Sequence, residues 1–259
     1  MASSTENATQ VEKATQALRE AVLSGVYGGD EKLREVPLSE MLGVSRTVVR
    51  LALSALELEG LVVHAPNRGF RTRAFSLEEV TDAIIVRGEL EAIAARYICE
   101  RGLSVDDRER FQDILARMEQ VLADGFAEVE GRLAWMDLVA AFHGLLVSAS
   151  GSPAIEATIA QLSRIPLVAP KSVVFDLSSA DYSRDRVLDM FETRKQLVEA
   201  LMNRQGGRAA ALMVGYAYQA CSNKRASFES MRSGRRLSMV PGMGLINRRD
   251  ERTAPGPWK

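Results

Sequence analysis

Ser45, Arg46 and Thr47 stand together directly after Gly43-Val44, and Arg50 follows Arg46 by four residues. The Gly-Val pair reads as a tight turn. It puts Ser45 at a helix start, where its hydroxyl can accept from the free N–H groups of the next turn. Those N–H groups and the helix dipole favour a phosphate at the same end. Four-residue spacing places Arg46 and Arg50 on one helix face, and an arginine fork fits the O6 and N7 acceptors of guanine in a major groove. Such a set recognises a polyanion and performs no reaction. By itself it also fits a capped surface helix with two solvated arginines. A second basic run, from Gly60 to Arg73, contains Arg68, Arg71 and Arg73 and no acid. Its turn Pro66-Asn67-Arg68-Gly69 between β-prone segments sets Arg68 at a hairpin tip and lowers the weight of the surface-helix alternative.

The elements that position these residues follow from periodicity. Thr9–Ser24 carries Val11, Ala14, Leu18, Ala21 and Val22 at helical spacing. Pro37–Leu42 fits a short helix with proline in its tolerated first turn. The helix begun by Ser45 carries Val48, Val49, Ala52, Leu53 and Leu56, with Leu58 as a further candidate, before Glu59-Gly60, and Leu61–Ala65 and Phe70–Ala74 form a hairpin. Three helices and a hairpin make a winged helix-turn-helix, complete by about residue 75. Beyond it the patterns are helical: Leu77–Arg101, Ser104–Ala123, Phe126–Ala149, Ser152–Arg164, Tyr182–Asn203 and Gly206–Met231. Ser76 with Glu79 three residues on is a capping box, and Ser104 with Asp107 repeats the spacing. Residues Ile165–Ala180 read as an irregular connection. The fold class is mainly α: a winged helix-turn-helix over 1–75, an all-α bundle over 76–232, and a basic tail over 233–259 expected to be disordered.

Composition narrows the function. The 259 residues are 46% hydrophobic and 26% charged, with a net charge of −1. A nucleic-acid binder needs a basic face and not a basic protein. From Lys224 onward nine basic residues face three acidic ones, which suits a solvated end as well as a DNA-binding one. No uninterrupted apolar run approaches the ~18 residues that cross a bilayer, and the first ten residues lack an apolar signal region. A cytoplasmic protein with no membrane partner is expected. Catalytic residues are expected to be none, because nucleophile elbow, phosphate loop and HExxH are absent. Neither Cys99 nor Cys221 belongs to a CxxC pair, and the only histidines are His64 and His143.

Residues 38–60, LSEMLGVSRTVVRLALSALELEG, followed by LVVHAPNRGF, resemble the DNA-binding signature of GntR-type regulators. Val48 stands where that family usually has proline, and Leu51 where it usually has glutamate. Val36 stands where a DNA-contacting arginine is common, with Arg34 nearby as a substitute. The resemblance implies DNA contacts by Arg34, Ser45, Arg46, Thr47, Arg50 and the wing pair Arg68-Gly69. Downstream, Val86–Glu91 and Ala140–His143, with the run to Ser152, resemble the FadR subfamily, whose ligand domain is an all-α bundle of six to seven helices. Within it, Asp82–Ala92 and Ile165–Leu177 look most like the VanR-type branch, whose members answer to aromatic acids.

Many FadR-type members hold a divalent metal, and the resemblance puts its ligand positions at Val139, His143, Thr193 and Tyr216. Only one of these is a good ligand, so no metal and no cofactor is expected. What remains is Arg87, His143, Thr193 and Tyr216, a polar set suited to a carboxylate through the bidentate fork of Arg87. Pairing of Arg87 with Glu91, with His143 simply packed, is the structural alternative. The expected function is a ligand-responsive, homodimeric regulator, a repressor of a catabolic operon. Its partners are a double-stranded DNA operator and a small organic acid, aromatic by the VanR-type likeness. A constitutive DNA binder without effector, and an enzyme housed in residues 77–231, are the competing readings.

Overall fold

A computed structural model describes residues 2–246 except 66–67, 125, 127, 176, 178–179, 236 and 239. The chain divides into two units. The first comprises Met1–Val80, Arg164–Leu167 and Pro241–Lys259; the second comprises Thr81–Ser163 and Val168–Val240.

In the first unit, α1 (Ala2–Leu23), α2 (Glu35–Leu42) and α3 (Arg46–Leu58) accompany three short strands. These are β1 (Lys32–Leu33), β2 (Val62–Ala65) and β3 (Gly69–Thr72). Helix α3 forms because its apolar residues share one stripe: Val48, Val49, Ala52, Leu53 and Leu56 are all buried. They pack with Leu18 and Val22 of α1 and Leu38 of α2 into a core worth about 1.5–3 kcal/mol per large side chain. Gly43, at φ +63°, ends α2. Its N–H donates to Glu40 and that of Val44 to Ser39, the paired bonds of a Schellman turn. The hairpin is in register with Ala65 opposite Gly69 and Val62 opposite Thr72. Its turn residues Pro66 and Asn67 lie outside the described residues.

Three features depart from the sequence reading. Helix α1 begins well before Thr9. Strand β1, too short to leave a periodic signal, pairs Lys32 with Arg71 and Leu33 with Phe70, making an antiparallel sheet of order β1-β3-β2. The third concerns the tail. Val240, Met243, Leu245 and Ile246 are buried, and Met243–Leu245 forms a 3-10 turn. Disorder from residue 233 therefore does not hold as far as Ile246; residues 247–259 lie outside the described residues.

The second unit is built on α4 (Leu77–Arg101), α5 (Val105–Asp124), α6 (Val129–Ala149), α7 (Pro153–Leu162), α8 (Ala180–Met202) and α9 (Gly206–Arg232). Both expected caps form. The Ser76 hydroxyl accepts from the Glu79 N–H at 2.9 Å while Glu79 accepts from the Ser76 N–H at 2.8 Å. Ser104 accepts from the Asp107 N–H at 3.0 Å and donates to the Asp107 carboxylate at 2.7 Å. Trp135, Phe142, Leu138 and Leu146 of α6 fill the bundle core with Phe111, Met118, Leu197 and Leu201. Phe111 and Phe142 meet edge to face at 5.4 Å. Among the described residues α6 alone is long and apolar enough to cross a membrane by composition, a property shared by core helices of soluble bundles. Helices α4 and α9 cross closely: a Cβ on Gly88 would lie 2.2 Å from that of Ala217.

Candidate functional site

In the first unit Ser45, Arg46, Thr47 and Arg50 share one exposed end of α3. Ser45 caps the helix, its hydroxyl accepting from the Val48 N–H at 3.3 Å. The two arginines, each with 63% of its side chain exposed, converge on one carboxylate. Arg50 binds Glu35 bidentately, at 2.8 and 2.9 Å, and Arg46 reaches the same carboxylate at 3.5 Å. The Arg50 hydrogen bonds, followed by the charges of both arginines, hold the Glu35 carboxyl below its usual range. The sequence reading did not single out Glu35, because no spacing rule links position 35 to 46 and 50. Arg34 is exposed beside it as the residue preceding α2, and its side chain caps nothing. In the wing, Arg71 and Arg73 pair with Asp30 and Glu79. Arg68 is exposed at the tip, followed by Gly69 at φ +75°.

In the second unit a polar cluster is sealed inside the bundle. Arg87 and Glu91 come from α4, His143 from α6, Arg194 from α8 and Tyr216 from α9, with at most 6% of any residue exposed. His143 Nδ1 lies 2.9 Å from Glu91 Oε1, and Arg87 Nε lies 3.6 Å from the same oxygen. Arg87 also donates to the Val168 carbonyl, and Arg194 to the Tyr216 hydroxyl. The Arg194 guanidinium is 4.8 Å from the Tyr216 ring centre, with Trp135 and Phe142 at 5.7 and 5.8 Å. Burial pushes the His143 pKa below normal despite Glu91, aided by Arg87 and Arg194, so the ring is neutral at neutral pH. Burial alone would raise that of Glu91, but the nearby Arg87 charge and the Nδ1–H bond from His143 bring it below the usual carboxylate value. Burial raises the Tyr216 hydroxyl.

Arg87, His143 and Tyr216 are thus brought together as expected from sequence. Thr193 is not. It lies on the outer side of α8, where its hydroxyl donates to the Asp189 carbonyl at 3.1 Å and, with Tyr216 and Arg208, it borders an open α8–α9 groove. Arg194, one residue on, takes the inward place because successive helical residues point ~100° apart. Four atoms of the cluster have no hydrogen-bond partner: the Nε atoms of Arg87 and Arg194, Glu91 Oε2 and His143 Nε2. Two are donors of cations. The other two are acceptors, given that Nδ1 donates to Glu91. Orphaned polar atoms are costly at such depth, and two guanidinium charges face one carboxylate. Among the described residues no three His, Cys, Asp or Glu side chains converge on a metal-binding point.

Residues 10–71 match the gntR family of bacterial regulatory proteins, and residues 82–217, more than half of the chain, match the FCD domain. The chain belongs to the gntR family, in the group that carries an FCD domain. It is 38% identical over 71 residues to the Nta operon transcriptional regulator of Aminobacter aminovorans, covering 27% of this chain and 34% of that one. It is 25% identical over 198 residues to the HTH-type transcriptional repressor GlaR of Escherichia coli, covering 76% of this chain and 87% of that one. The chain spans 34%, 57% and 54% of the length of three of its curated relatives. The solved structure of E. coli McbR/YncC superposes with a TM-score of 0.58 at 19% identity, over 85% of this chain and 98% of the other, a likeness of fold. The matched families and relatives are regulators and not enzymes.

Proposed function

We propose that this protein is a cytoplasmic, homodimeric DNA-binding repressor of a catabolic operon, released or modulated by a small organic acid held at Arg87, His143, Arg194 and Tyr216. Arg34, Ser45, Arg46, Thr47, Arg50, Arg68 and Gly69 form the DNA-contacting surface. The single observation that carries the effector reading is the sealed cluster with unpartnered atoms of both kinds and an excess of guanidinium charge. An anionic carboxylate satisfies the two Nε donors, and a hydroxyl on the same molecule satisfies His143 Nε2 or Glu91 Oε2. The α8–α9 groove bordered by Thr193 and Tyr216 is the way in. An aromatic acid fits the surrounding Trp135 and Phe142 rings and agrees with the VanR-type resemblance.

The test is a screen of aromatic and aliphatic carboxylic acids for a raised Tm, since a ligand of the folded state must stabilise it, and for release from a promoter fragment. Arg87→Lys keeps a charge opposite Glu91 but loses the planar fork. It is expected to weaken binding of the selected acid by about tenfold or more, the share of a charge-assisted pair. If no acid shifts the Tm while promoter binding is intact, the protein is a constitutive DNA binder.

A further inference from the structure

The C-terminal segment is built into the winged-helix unit as one of its parts. Gly242 donates its N–H to the Leu23 carbonyl at 2.7 Å. Gly29 donates to Gly244 at 3.3 Å and Phe75 to Leu245 at 2.9 Å, and Phe75 forms a parallel bridge with Ile246. Only glycine fits at 242, where φ is +83° and a Cβ would lie 2.6 Å from that of Pro166. Just upstream, in the second unit, Ser238 pairs both ways with Phe175: its N–H donates to the Phe175 carbonyl at 2.8 Å and its hydroxyl accepts from the Phe175 N–H at 2.9 Å.

The connection containing Phe175 is held in turn by the buried cations. Arg87 grips the Val168 carbonyl and Lys224, 8% exposed, grips that of Ser172. Between Pro166 and Val168 stands Leu167, buried and at φ +66°, a left-handed backbone that leucine adopts only under constraint.

We propose that residues 168–175 and 238–246 form a strap that reports occupancy of the Arg87 cluster to the winged helix. This rests on the reading of that cluster as an acid site. A carboxylate is a stronger partner for a guanidinium than a peptide carbonyl is, so an arriving acid draws Arg87 from Val168. Leu167 then loses a restraint on its unfavourable backbone, while Pro166 still lies against Gly242. The Phe175–Ser238 pair carries the loosening into the segment that satisfies the Gly29 and Phe75 amides and the last carbonyl of α1, the helix packed on α3.

Hydrogen exchange on the full chain tests the strap with and without a ligand. Lys224→Met removes the grip on Ser172, retains most of the stem and leaves the residues of 238–246 themselves unaltered. It is expected to accelerate exchange at the Phe175 and Ser238 amides and, at least tenfold, at Gly29 and Phe75. Coupling is reciprocal, so Gly242→Ala, which dislodges the segment from Pro166, is expected to accelerate Phe175 and Ser238. Faster exchange confined to the unit that carries each substitution overturns the proposal. Benzoate serves as the acid probe. Where it raises the Tm and accelerates Gly29 and Phe75, the strap is supported; where it raises the Tm and leaves them unchanged, the strap is wrong. Benzoate that does not bind counts against the acid reading alone, and Lys224→Met still decides the strap.

Discussion

At the scale of residues, both clusters pair arginines with a carboxylate, Glu35 in one and Glu91 in the other. Glu35 ties Arg46 and Arg50 into one exposed fork, and an exposed ion pair contributes little to stability. Guanine offers Arg50 the same pair of acceptors that Glu35 now supplies. Arg46→Ala and Arg50→Ala are each expected to lower promoter affinity about tenfold or more, with the Tm nearly unchanged. A gel-shift titration of both variants checks this, and unchanged affinity in both would remove α3 as the reading helix. Lys224 gives a pH prediction. Burial, then the Arg87 charge, lowers its pKa from the ordinary lysine value of 10.5 to about 7. Between about 7 and 10.5 the unfolded chain binds more protons at this site than the folded one, so stability rises with pH there. Below about 7 both states are protonated and the burial penalty is fully present. Lys224→Met is expected to flatten that rise, seen as a smaller gain in urea midpoint from pH 7 to pH 9 than the unaltered protein shows.

At the scale of elements, helix ends and helix crossings set the geometry of both units. The Ser76–Glu79 box starts α4, the helix that carries Arg87 and Glu91. Ser76→Ala is expected to cost about 1 kcal/mol in chemical denaturation, the usual share of an N-cap. Gly88 offers a sharper test because two effects oppose each other. Alanine is the better helix former by about 1 kcal/mol, yet its Cβ would meet that of Ala217 at 2.2 Å. Overpacking of that kind costs about 1–3 kcal/mol, so Gly88→Ala is expected to destabilise the protein. A stabilised variant would show that α4 and α9 do not cross so closely.

At the scale of the molecule, a dimer with two reading helices is expected to bind a short two-fold-related DNA site, with affinity falling steeply as salt rises because phosphate contacts release counterions. In the proposed function the buried cluster meets an acid with guanidinium groups. Purified protein is therefore expected to carry no stoichiometric zinc, nickel or manganese, and its promoter binding to be indifferent to chelator. A metal retained through dialysis would place the ligand positions elsewhere.

The sequence alone determined what depends on short-range chemistry. Ser45 before Arg46, the stripe from Val48 to Leu56, and the Ser76–Glu79 spacing each act within a turn or two of helix, so the residues themselves state the outcome. Arg87 and His143 were legible only through resemblance to a family pattern. Arg194 was not legible, because in sequence it is one charge among Glu192, Lys195 and their neighbours. Only the packing of α8 turns it toward Trp135, Phe142 and Tyr216, while Thr193, one residue away, turns outward. Glu35 and the segment Val240–Ile246 were hidden for the same reason. A carboxylate fifteen residues from its arginine, or four apolar residues in a polar tail, acquires a partner only once distant elements have built the surface it meets.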